Sequence, residues 1–270
     1  MIKLNSTVIS NSKPFVLIAG PCVVENERMI LQTAEKVNTI CNNLKIPYIF
    51  KSSYKKANRT SSNSFVGIGD KKALKILFKV REIFQIPVLT DVHTLEEAKI
   101  AAEYVDVLQI PAFLCRQTEL LVAAGKTNKI INIKKGQFLA PEDMKYAAEK
   151  VASTGNKKIM LTERGTTFGY HNLVVDMRSL VIMKDLGYPV VMDATHSVQI
   201  PSKGNKSGGQ PKFILPLAKA AAAVGIAALF LEVHPNPKSA LSDAESQLHL
   251  SDLKNLLVQV KDIDRVIKSY

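Results

Sequence analysis

The sequence predicts one (β/α)8 barrel, a TIM barrel, that occupies residues 1–270 and includes a short N-terminal extension. Two observations predict this fold. Eight short apolar runs alternate with stretches of helical periodicity, and eight βα units in about 250 residues are typical of such a barrel. No tract rich in Pro, Gly and Ser divides the chain, so we expect a single domain.

The eight predicted strands are almost continuously apolar before their polar ends, as is usual for strands covered on both faces of a parallel sheet. In chain order they are FVLIAG (15–20), YIFKSS (48–53), VLTDV (88–92), VDVLQI (105–110), IINIKKG (130–136), IMLTERG (159–165), VVMDATH (190–196) and LFLEVH (229–234). A doubly wound open sheet is the alternative fold. It would require a glycine-rich phosphate loop after the first strand, and GPCVVE contains neither a GxGxxG nor a Walker motif.

Seven segments between and after these runs have the apolar spacing of amphipathic helices. They cover residues 25–44, 70–84, 95–104, 141–153, 177–187, 212–225 and 252–270. Because they alternate with the strands, we expect them to pack around the outside of the barrel.

The composition indicates an anionic binding partner. Lys and Arg outnumber Asp and Glu by 36 to 24, which gives a net charge of +12, and such a balance suits phosphorylated substrates, nucleic acid or an anionic membrane surface. The absence of Trp and of an Arg-rich block disfavours nucleic acid. The first residues lack a signal-peptide core, and the three cysteines are too few and odd in number for a disulfide framework. We therefore expect a cytoplasmic protein without membrane segments.

Polar residues gather at the carboxyl end of each predicted strand, where a barrel places its active site. Cations are numerous among them and in the loops that follow: Lys51, Lys56, Arg59, Lys134 and Arg164. The neighbouring acids Asp91, Glu163 and Asp193 are too few to balance all of these charges. Because buried like charges are costly without compensation, the pattern predicts a site for small, multiply negative substrates.

A second group of polar residues lies at the ends of the first, seventh and eighth strands and in the loop beyond the eighth. It comprises Cys22, His196, Glu232 and Asp243. Thiolate, imidazole and carboxylate ligands suit a divalent transition metal such as Zn, Fe, Mn or Co. The spacing matches no CxxC or HExxH motif, so a packed cysteine, a structural histidine and a Cys–His nucleophilic pair stay open as alternatives at this stage.

Several long motifs carry a resemblance to a known family. They are FKSSYKKANRTS, QIPAFLCRQT, KKGQFLAP, LTERGTTFGY, DATHSVQ and LEVHPNPKSALSDA. Together they resemble 3-deoxy-D-manno-octulosonate 8-phosphate synthases over nearly the whole chain. The related 3-deoxy-D-arabino-heptulosonate 7-phosphate synthases share the fold and the GPC-type first strand. They typically have a Lys-Pro-Arg-Thr segment where this chain has KANRT, and they lack an equivalent of IPAFLCRQT, so the resemblance to them is smaller.

The resemblance implies a reaction of phosphoenolpyruvate, D-arabinose 5-phosphate and water that gives the octulosonate phosphate and inorganic phosphate, a step toward lipopolysaccharide precursors. The sister enzymes use erythrose 4-phosphate instead, and this is the alternative function. The implied catalytic residues are Lys51, Lys56, Asp91 and His196. The implied substrate-binding residues are Ser53, Asn58, Arg59, Gln109, Ala112, Arg116, Lys134, Arg164 and Lys206.

Each of these substrate-binding residues has an implied partner. Lys134, Arg164 and the Ala112 backbone are expected at the phosphate of phosphoenolpyruvate, and Ser53, Lys56 and Gln109 at its carboxylate. Asn58 and Arg59 are expected at the sugar phosphate, with the loop of Lys206 closing over it. Arg116 is expected to reach the sugar phosphate of a neighbouring subunit, so the resemblance implies a homo-oligomer, which we expect to be a tetramer.

The family also divides by metal dependence, and Cys22 marks the difference because metal-independent members have Asn at that position. The resemblance therefore implies a divalent metal ion held by Cys22, His196, Glu232 and Asp243. Two positions depart from many relatives, Val66 in the second loop and Pro211 after the seventh. These departures concern loop conformation and affinity.

Overall fold

A computed structural model describes residues 1–57, 64–200 and 208–270 and has eight parallel strands that close into a barrel. Each strand pairs with its neighbours in chain order, and the eighth pairs with both the seventh and the first. The strands are β1 Val16–Gly20, β2 Tyr48–Lys51, β3 Val88–Asp91, β4 Val107–Ile110, β5 Ile130–Lys134, β6 Ile159–Glu163, β7 Val190–Asp193 and β8 Ala228–His234. This arrangement confirms the predicted fold class and excludes the open sheet.

A helix follows every barrel strand, and the eight helices surround the barrel. They are α1 Glu27–Leu44, α2 Asp70–Phe84, α3 Leu95–Ala102, α4 Thr118–Lys126, α5 Met144–Ala152, α6 Arg178–Asp185, α7 Ile214–Val224 and α8 Leu253–Lys268. Seven of them lie within the helical segments predicted from periodicity. The remaining one, α4, was not among those segments, since it is short and its central LLVAA run is too apolar to show a polar face.

Short elements decorate the barrel. An antiparallel hairpin of Ile2–Leu4 and Thr7–Ile9 forms the N-terminal extension. Near the other end, Thr166–Thr167 pairs with Leu173–Val174. Gln199–Ile200 pairs with Gly208–Gly209, and Leu248–His249 extends the sheet beside β8.

The inside of the barrel has two tiers, because residues two apart on a strand point the same way. The lower tier is an apolar cluster to which every barrel strand contributes, and the N-terminal hairpin adds Ile2 and Ile9 to it. Two residues further along the strands, the upper tier is polar: Ile49 is followed by Lys51, Leu89 by Asp91. A separate, larger apolar cluster joins the outer faces of the strands to the helices. The polar tier thus rests on a hydrophobic floor.

Among the residues that the structure describes, no helix combines the length and the apolar character that a bilayer crossing requires.

Candidate active site

The carboxyl ends of the strands form a pocket that brings together many of the residues predicted from the sequence. Eight of them line it: Lys51, Ser53, Lys56, Asp91, Ala112, Lys134, Arg164 and His196. Four further lining residues had not been predicted: His93, Pro111, Phe113 and Gln137. They directly follow the strand ends or the loops already singled out, so their position in the sequence was the available signal.

The remaining predicted substrate-binding residues lie elsewhere or outside the description. Gln109 is completely buried below the pocket, where it contacts Asp91. Arg116 is exposed and lies by another surface depression, between Cys115 and Lys150, so a single chain does not bring it to the mouth. Asn58, Arg59 and Lys206 fall outside the described residues.

Close packing of the first two strands places Cys22. A Cβ atom added to Gly20 would lie 2.0 Å from the carbonyl oxygen of Lys51, so only glycine allows the strands to approach this closely. Beyond this point the two chains continue side by side, and the Ser53 amide donates a hydrogen bond of 3.2 Å to the Cys22 carbonyl. Cys22 is therefore held at the rim of the barrel, beside the end of β2.

Three of the four predicted metal ligands form one cluster. The Cys22 sulfur and carboxylate oxygens of Glu232 and Asp243 lie within 4.8 Å of one another. The Cys22 Sγ is 3.0 Å from Asp243 Oδ2 and 3.0 Å from the hydroxyl of Ser242. Burial, followed by the charges of Asp243 and Glu232, raises the pKa of the Cys22 thiol. A bound divalent cation would reverse this effect, because a coordinating thiol loses its proton.

The donor set fits such a cation. Glu232 Oε2 is buried and has no hydrogen-bond partner in the described part of the chain, which leaves one hard oxygen ligand unused. Glu232 Oε1 is 2.6 Å from Lys51 Nζ, and Asp243 Oδ2 is 3.7 Å from Lys56 Nζ. Burial alone would raise the pKa of Glu232, but Lys51, His196 and Lys56 hold it well below its usual value. Burial would raise the pKa of Asp243 as well, but Lys56 lowers it, so both carboxylates are ionised.

His196, the fourth predicted ligand, borders this cluster and is oriented by Asp193. Its Nδ1 lies 2.7 Å from Asp193 Oδ2, while its Nε2 lies 3.6 Å from Glu232 Oε1. A carboxylate that accepts the Nδ1 proton leaves Nε2 as the free, more basic nitrogen, which is the usual arrangement of a metal-binding histidine. Asp193 was recognised in the sequence only as a neighbouring acid, and its orienting role required the structure.

Lys134 and Arg164 form the cationic side of the pocket. Lys134 Nζ is 2.6 Å from Asp193 Oδ2, and Arg164 Nη2 donates to Gln199 Oε1 at 2.8 Å. Arg164 Nη1 is buried and has no partner among the described residues. Desolvation lowers the pKa of both side chains, although Asp193 opposes this shift. An anion in the pocket would supply the missing acceptor.

A row of hydrogen bonds crosses the polar tier of the barrel. Thr162 Oγ1 donates to Asn132 Oδ1 at 2.7 Å, Asn132 Nδ2 to Gln109 Oε1 at 2.8 Å, and Gln109 Nε2 to Asp91 Oδ1 at 2.6 Å. The Ser53 hydroxyl donates to the other Asp91 oxygen. An ionised carboxylate only accepts, so the charge of Asp91 fixes the orientation of both amides. Asn132 and Thr162 were not predicted as site residues.

Three lysines near the Asp91 carboxylate compensate its negative charge inside the barrel. Burial alone would raise the pKa of Asp91, but Lys51, Lys56, Lys134 and the Gln109 amide keep it well below its usual range. Asp91 is consequently an ionised acceptor that lines the pocket, held from both sides.

One of the three acids that the sequence predicted at the mouth, Glu163, does not face it, and two others take its place. Glu163 points away from the mouth: its Oε1 accepts from the Arg164 and Gly165 amides, and its Oε2 accepts from Ser179. Glu232 and Asp243 instead supply negative charge to the lysines of the mouth. Side chains alternate along β6, so with Thr162 facing the interior, Glu163 faces outward toward Ser179 of α6. The anionic-site prediction therefore depends on the unpartnered Arg164 nitrogen more than on a deficit of acids.

A larger cavity, about 470 Å³, lies at the opposite end of the barrel and includes Lys184 and Lys268. These ammonium groups already donate to backbone carbonyls, Lys184 to Val224 and Lys268 to Lys13 and Ile226. The mouth at the carboxyl end, with its unpartnered polar atoms, is therefore the candidate site.

Comparisons with known proteins give matches over nearly the whole chain. The model of the DAHP synthetase I family matches residues 1–269. A protein of Geotalea uraniireducens named 2-dehydro-3-deoxyphosphooctonate aldolase is 56% identical over 268 residues, which is 99% of this chain and 98% of that protein. Proteins with the same name from Geobacter sulfurreducens and Trichlorobacter lovleyi are 53% and 54% identical over the same shares of both chains.

Proposed function

This chain belongs to the DAHP synthetase I family, and from that premise we propose that it condenses phosphoenolpyruvate with D-arabinose 5-phosphate and water. The products are 3-deoxy-D-manno-octulosonate 8-phosphate and inorganic phosphate. The names of the relatives, which are aldolases of a phosphorylated 3-deoxyoctonate, favour this aldehyde over erythrose 4-phosphate. A transferase of this kind would act early in lipopolysaccharide synthesis, and its phosphorylated substrates suit a cytoplasmic enzyme.

The buried Arg164 guanidinium carries the proposal. Its Nη1 has no partner among the described residues, and Lys134 lines the same pocket. A guanidinium with a free N–H beside an ammonium group matches a phosphate oxygen pair. We assign these two side chains, with the Ala112 backbone, to the phosphate of phosphoenolpyruvate.

The other side of the pocket would hold the carboxylate and the reacting carbons. We assign Ser53, Lys56 and Gln109 to this carboxylate. Ser53 and Lys56 line the pocket, and Ser53 and Gln109 adjoin each other through the Asp91 carboxylate that both donate to. Lys51 and Asp91 lie between them, with 3.9 Å separating Lys51 Nζ from Asp91 Oδ2. These groups screen the repulsion between two anionic substrates and hold them for carbon–carbon bond formation.

In the condensation, C3 of phosphoenolpyruvate attacks the aldehyde carbon of the sugar, water adds to C2, and phosphate leaves by cleavage of its C–O bond. Lys51 and Lys56 stabilise negative charge that develops on the aldehyde oxygen. Asp91 is an ionised carboxylate at the aldehyde end of the pocket, and His196 takes part through the metal ion that it would hold. Asn58, Arg59 and Lys206 are proposed for the sugar phosphate.

We further propose that Cys22, His196, Glu232 and Asp243 hold a divalent metal ion, of Fe, Zn, Mn or Co. The clustering of three of these side chains and the unused Glu232 oxygen support it. When bound there, the ion would act as a Lewis acid for the aldehyde or a water molecule. The protein's contribution is the orientation of His196 by Asp193 and the exclusion of bulk water by the buried Cys22.

The decisive experiment is a product assay on the purified protein with each sugar phosphate. We expect octulosonate 8-phosphate from arabinose 5-phosphate and little product from erythrose 4-phosphate. Treatment with a chelator should abolish turnover, and added Co2+ or Zn2+ should restore it. Preference for erythrose 4-phosphate would overturn the choice of aldehyde, and full activity of the metal-stripped enzyme would overturn the metal.

A homo-oligomer, in particular a tetramer, is proposed from Arg116. This residue is exposed and lies away from the mouth of its own barrel, so a role in sugar-phosphate binding requires a neighbouring subunit. Arg116→Ala should raise the KM for arabinose 5-phosphate far more than that for phosphoenolpyruvate. Light scattering that shows a fully active monomer would contradict the proposal.

A further inference from the structure

The loop that carries Asp243 is tied to the loop that carries Cys22 by a buried pair outside the ligand set. Glu25 Oε1 accepts a hydrogen bond of 2.9 Å from the backbone amide of Leu241. His234 Nε2 lies 3.6 Å from the same oxygen. The side chains of both Glu25 and His234 are almost entirely buried, with exposed fractions of 11% and 5%.

The protonation of His234 follows from its other nitrogen. Its Nδ1 accepts a hydrogen bond of 3.0 Å from the Asn236 amide and so carries no proton. The proton of the neutral ring is then on Nε2, which faces the Glu25 carboxylate and has no closer partner in the described part of the chain. His234 therefore fixes the start of the loop through Asn236 and turns its remaining donor toward Glu25.

Glu25 and Leu241 are close along the chain to two of the proposed metal ligands. Glu25 is three residues after Cys22, and Leu241 is two residues before Asp243. The hydrogen bond between them ties the two loops next to these side chains, and Gln247 adds a second tie, accepting from the Cys22 amide at 3.3 Å and donating to the Ser242 carbonyl at 2.8 Å. Asp243 also has a left-handed backbone, with φ of 48°, which L-residues seldom adopt unless their surroundings hold them there.

We propose that Glu25 and His234 are positioning residues that hold Asp243 against Cys22 for joint binding of one divalent cation. The inference rests on the metal site proposed above. Partners that orient metal ligands typically change metal affinity by 10–100-fold when they are removed. Neither side chain needs to touch the substrates.

The test is titration of the metal-stripped protein with Co2+ alone, followed by the thiolate-to-cobalt charge-transfer band and by a competing chelator dye. Glu25→Ala removes the acceptor and should weaken Co2+ binding by about 10–100-fold and alter the visible d–d spectrum. Glu25→Gln retains an acceptor oxygen for the Leu241 amide and should bind nearly as tightly as the wild type. The matched control is Glu27→Ala, which removes an exposed carboxylate two residues away and should leave the affinity unchanged.

A second variant breaks the same bond from its other end. Leu241→Pro removes the backbone donor, the Leu241 side chain is 48% exposed, and Ala240 already has the extended conformation that precedes proline, with φ −64° and ψ 136°. It should weaken Co2+ binding as Glu25→Ala does, and the double variant should be little worse than either.

The outcomes separate the two proposals. Wild-type protein that binds no Co2+ overturns the proposed metal site and this inference with it. In the other outcome, the wild type binds Co2+ with an affinity that a folded Glu25→Ala or Leu241→Pro variant matches within threefold. That result overturns the positioning role alone. Circular dichroism melting identifies the folded variants, and Leu241→Pro decides the question if Glu25→Ala does not fold.

Discussion

Asp193 offers the sharpest test of how the polar tier functions. It accepts from Lys134 and from the His196 ring through one oxygen, at 2.6 and 2.7 Å, and from the His196 amide through the other, at 2.9 Å. Asp193→Asn keeps the shape and the acceptor for the amide. It replaces the other acceptor with an NH2 group that faces two donors.

The expected magnitude follows from these contacts. Two hydrogen bonds to charged or polarised groups are lost, each worth about 1.5–3 kcal/mol. The Lys134 ammonium also loses its counterion, and breaking a buried ion pair costs about 3–5 kcal/mol with its hydrogen bonds included. We expect the free energy of unfolding to fall by about 3–5 kcal/mol at neutral pH. Asp176→Asn removes the carboxylate of an exposed ion pair with Arg178 and should leave this free energy unchanged.

Binding of phosphoenolpyruvate gives a second measurement. Desolvation already lowers the pKa of Lys134, and the charge of Asp193 counteracts it. Without that charge the pKa falls further, so the ammonium form is lost at a lower pH. Affinity measured by calorimetry between about pH 6.5 and 9 should therefore decline at lower pH in Asp193→Asn than in the wild type. Unchanged stability together with an unchanged pH profile would refute the reasoning.

Three further predictions concern separate parts of the molecule. Cys22→Asn should lose Co2+ binding but retain turnover that a chelator no longer abolishes, and a chelator-sensitive variant would contradict this. Thr162→Val leaves the buried Asn132 oxygen without a donor and should lower the free energy of urea unfolding by about 1–3 kcal/mol, whereas Thr162→Ser should restore most of it; equal losses would exclude the hydrogen bond as the cause. Glu97, despite burial that raises its pKa, is held at about 2 from an ordinary 4.5 by hydrogen bonds from His93 and Lys55. A depressed carboxyl pKa contributes stability above about pH 4.5 that is lost as the pH falls toward 2. The difference in stability between wild type and Glu97→Gln, on the order of 1 kcal/mol after solvent screening, should therefore shrink over that pH range in thermal unfolding. A difference that stays constant would argue against this role of Glu97.

The sequence predicted the barrel well because each strand shows a local pattern of apolar residues that ends in polar ones. Ile49 and Lys51 on β2 illustrate this: a residue near the middle is apolar and one two places later is charged, and the same change recurs on other strands. The helix α4 was missed because nine mostly apolar residues show no polar face. Local pattern thus suffices for elements that are long enough to alternate.

The sequence predicted many of the residues that line the site, but not which of their side chains contact one another. Cys22 and Asp243 are more than two hundred residues apart, and only the closed barrel brings their side chains to 3.0 Å. The direction of Glu163, which turns to the Arg164 and Gly165 amides, follows from alternation along β6, because its neighbour Thr162 faces the interior. Since β6 is buried on both faces, its sequence does not show which face points inward.

The apolar floor beneath the polar tier has a consequence for how this protein tolerates change. The hairpin residues Ile2 and Ile9 close the far end of the barrel with the lower cluster, away from the pocket. Substitutions there should change the stability of the protein and leave the choice of substrate as it is. Substitutions in the upper tier should change both, because side chains such as Asp193 line up the site and also hold buried hydrogen bonds. Stability can therefore be altered on its own from the lower end of the barrel, whereas specificity is altered together with stability.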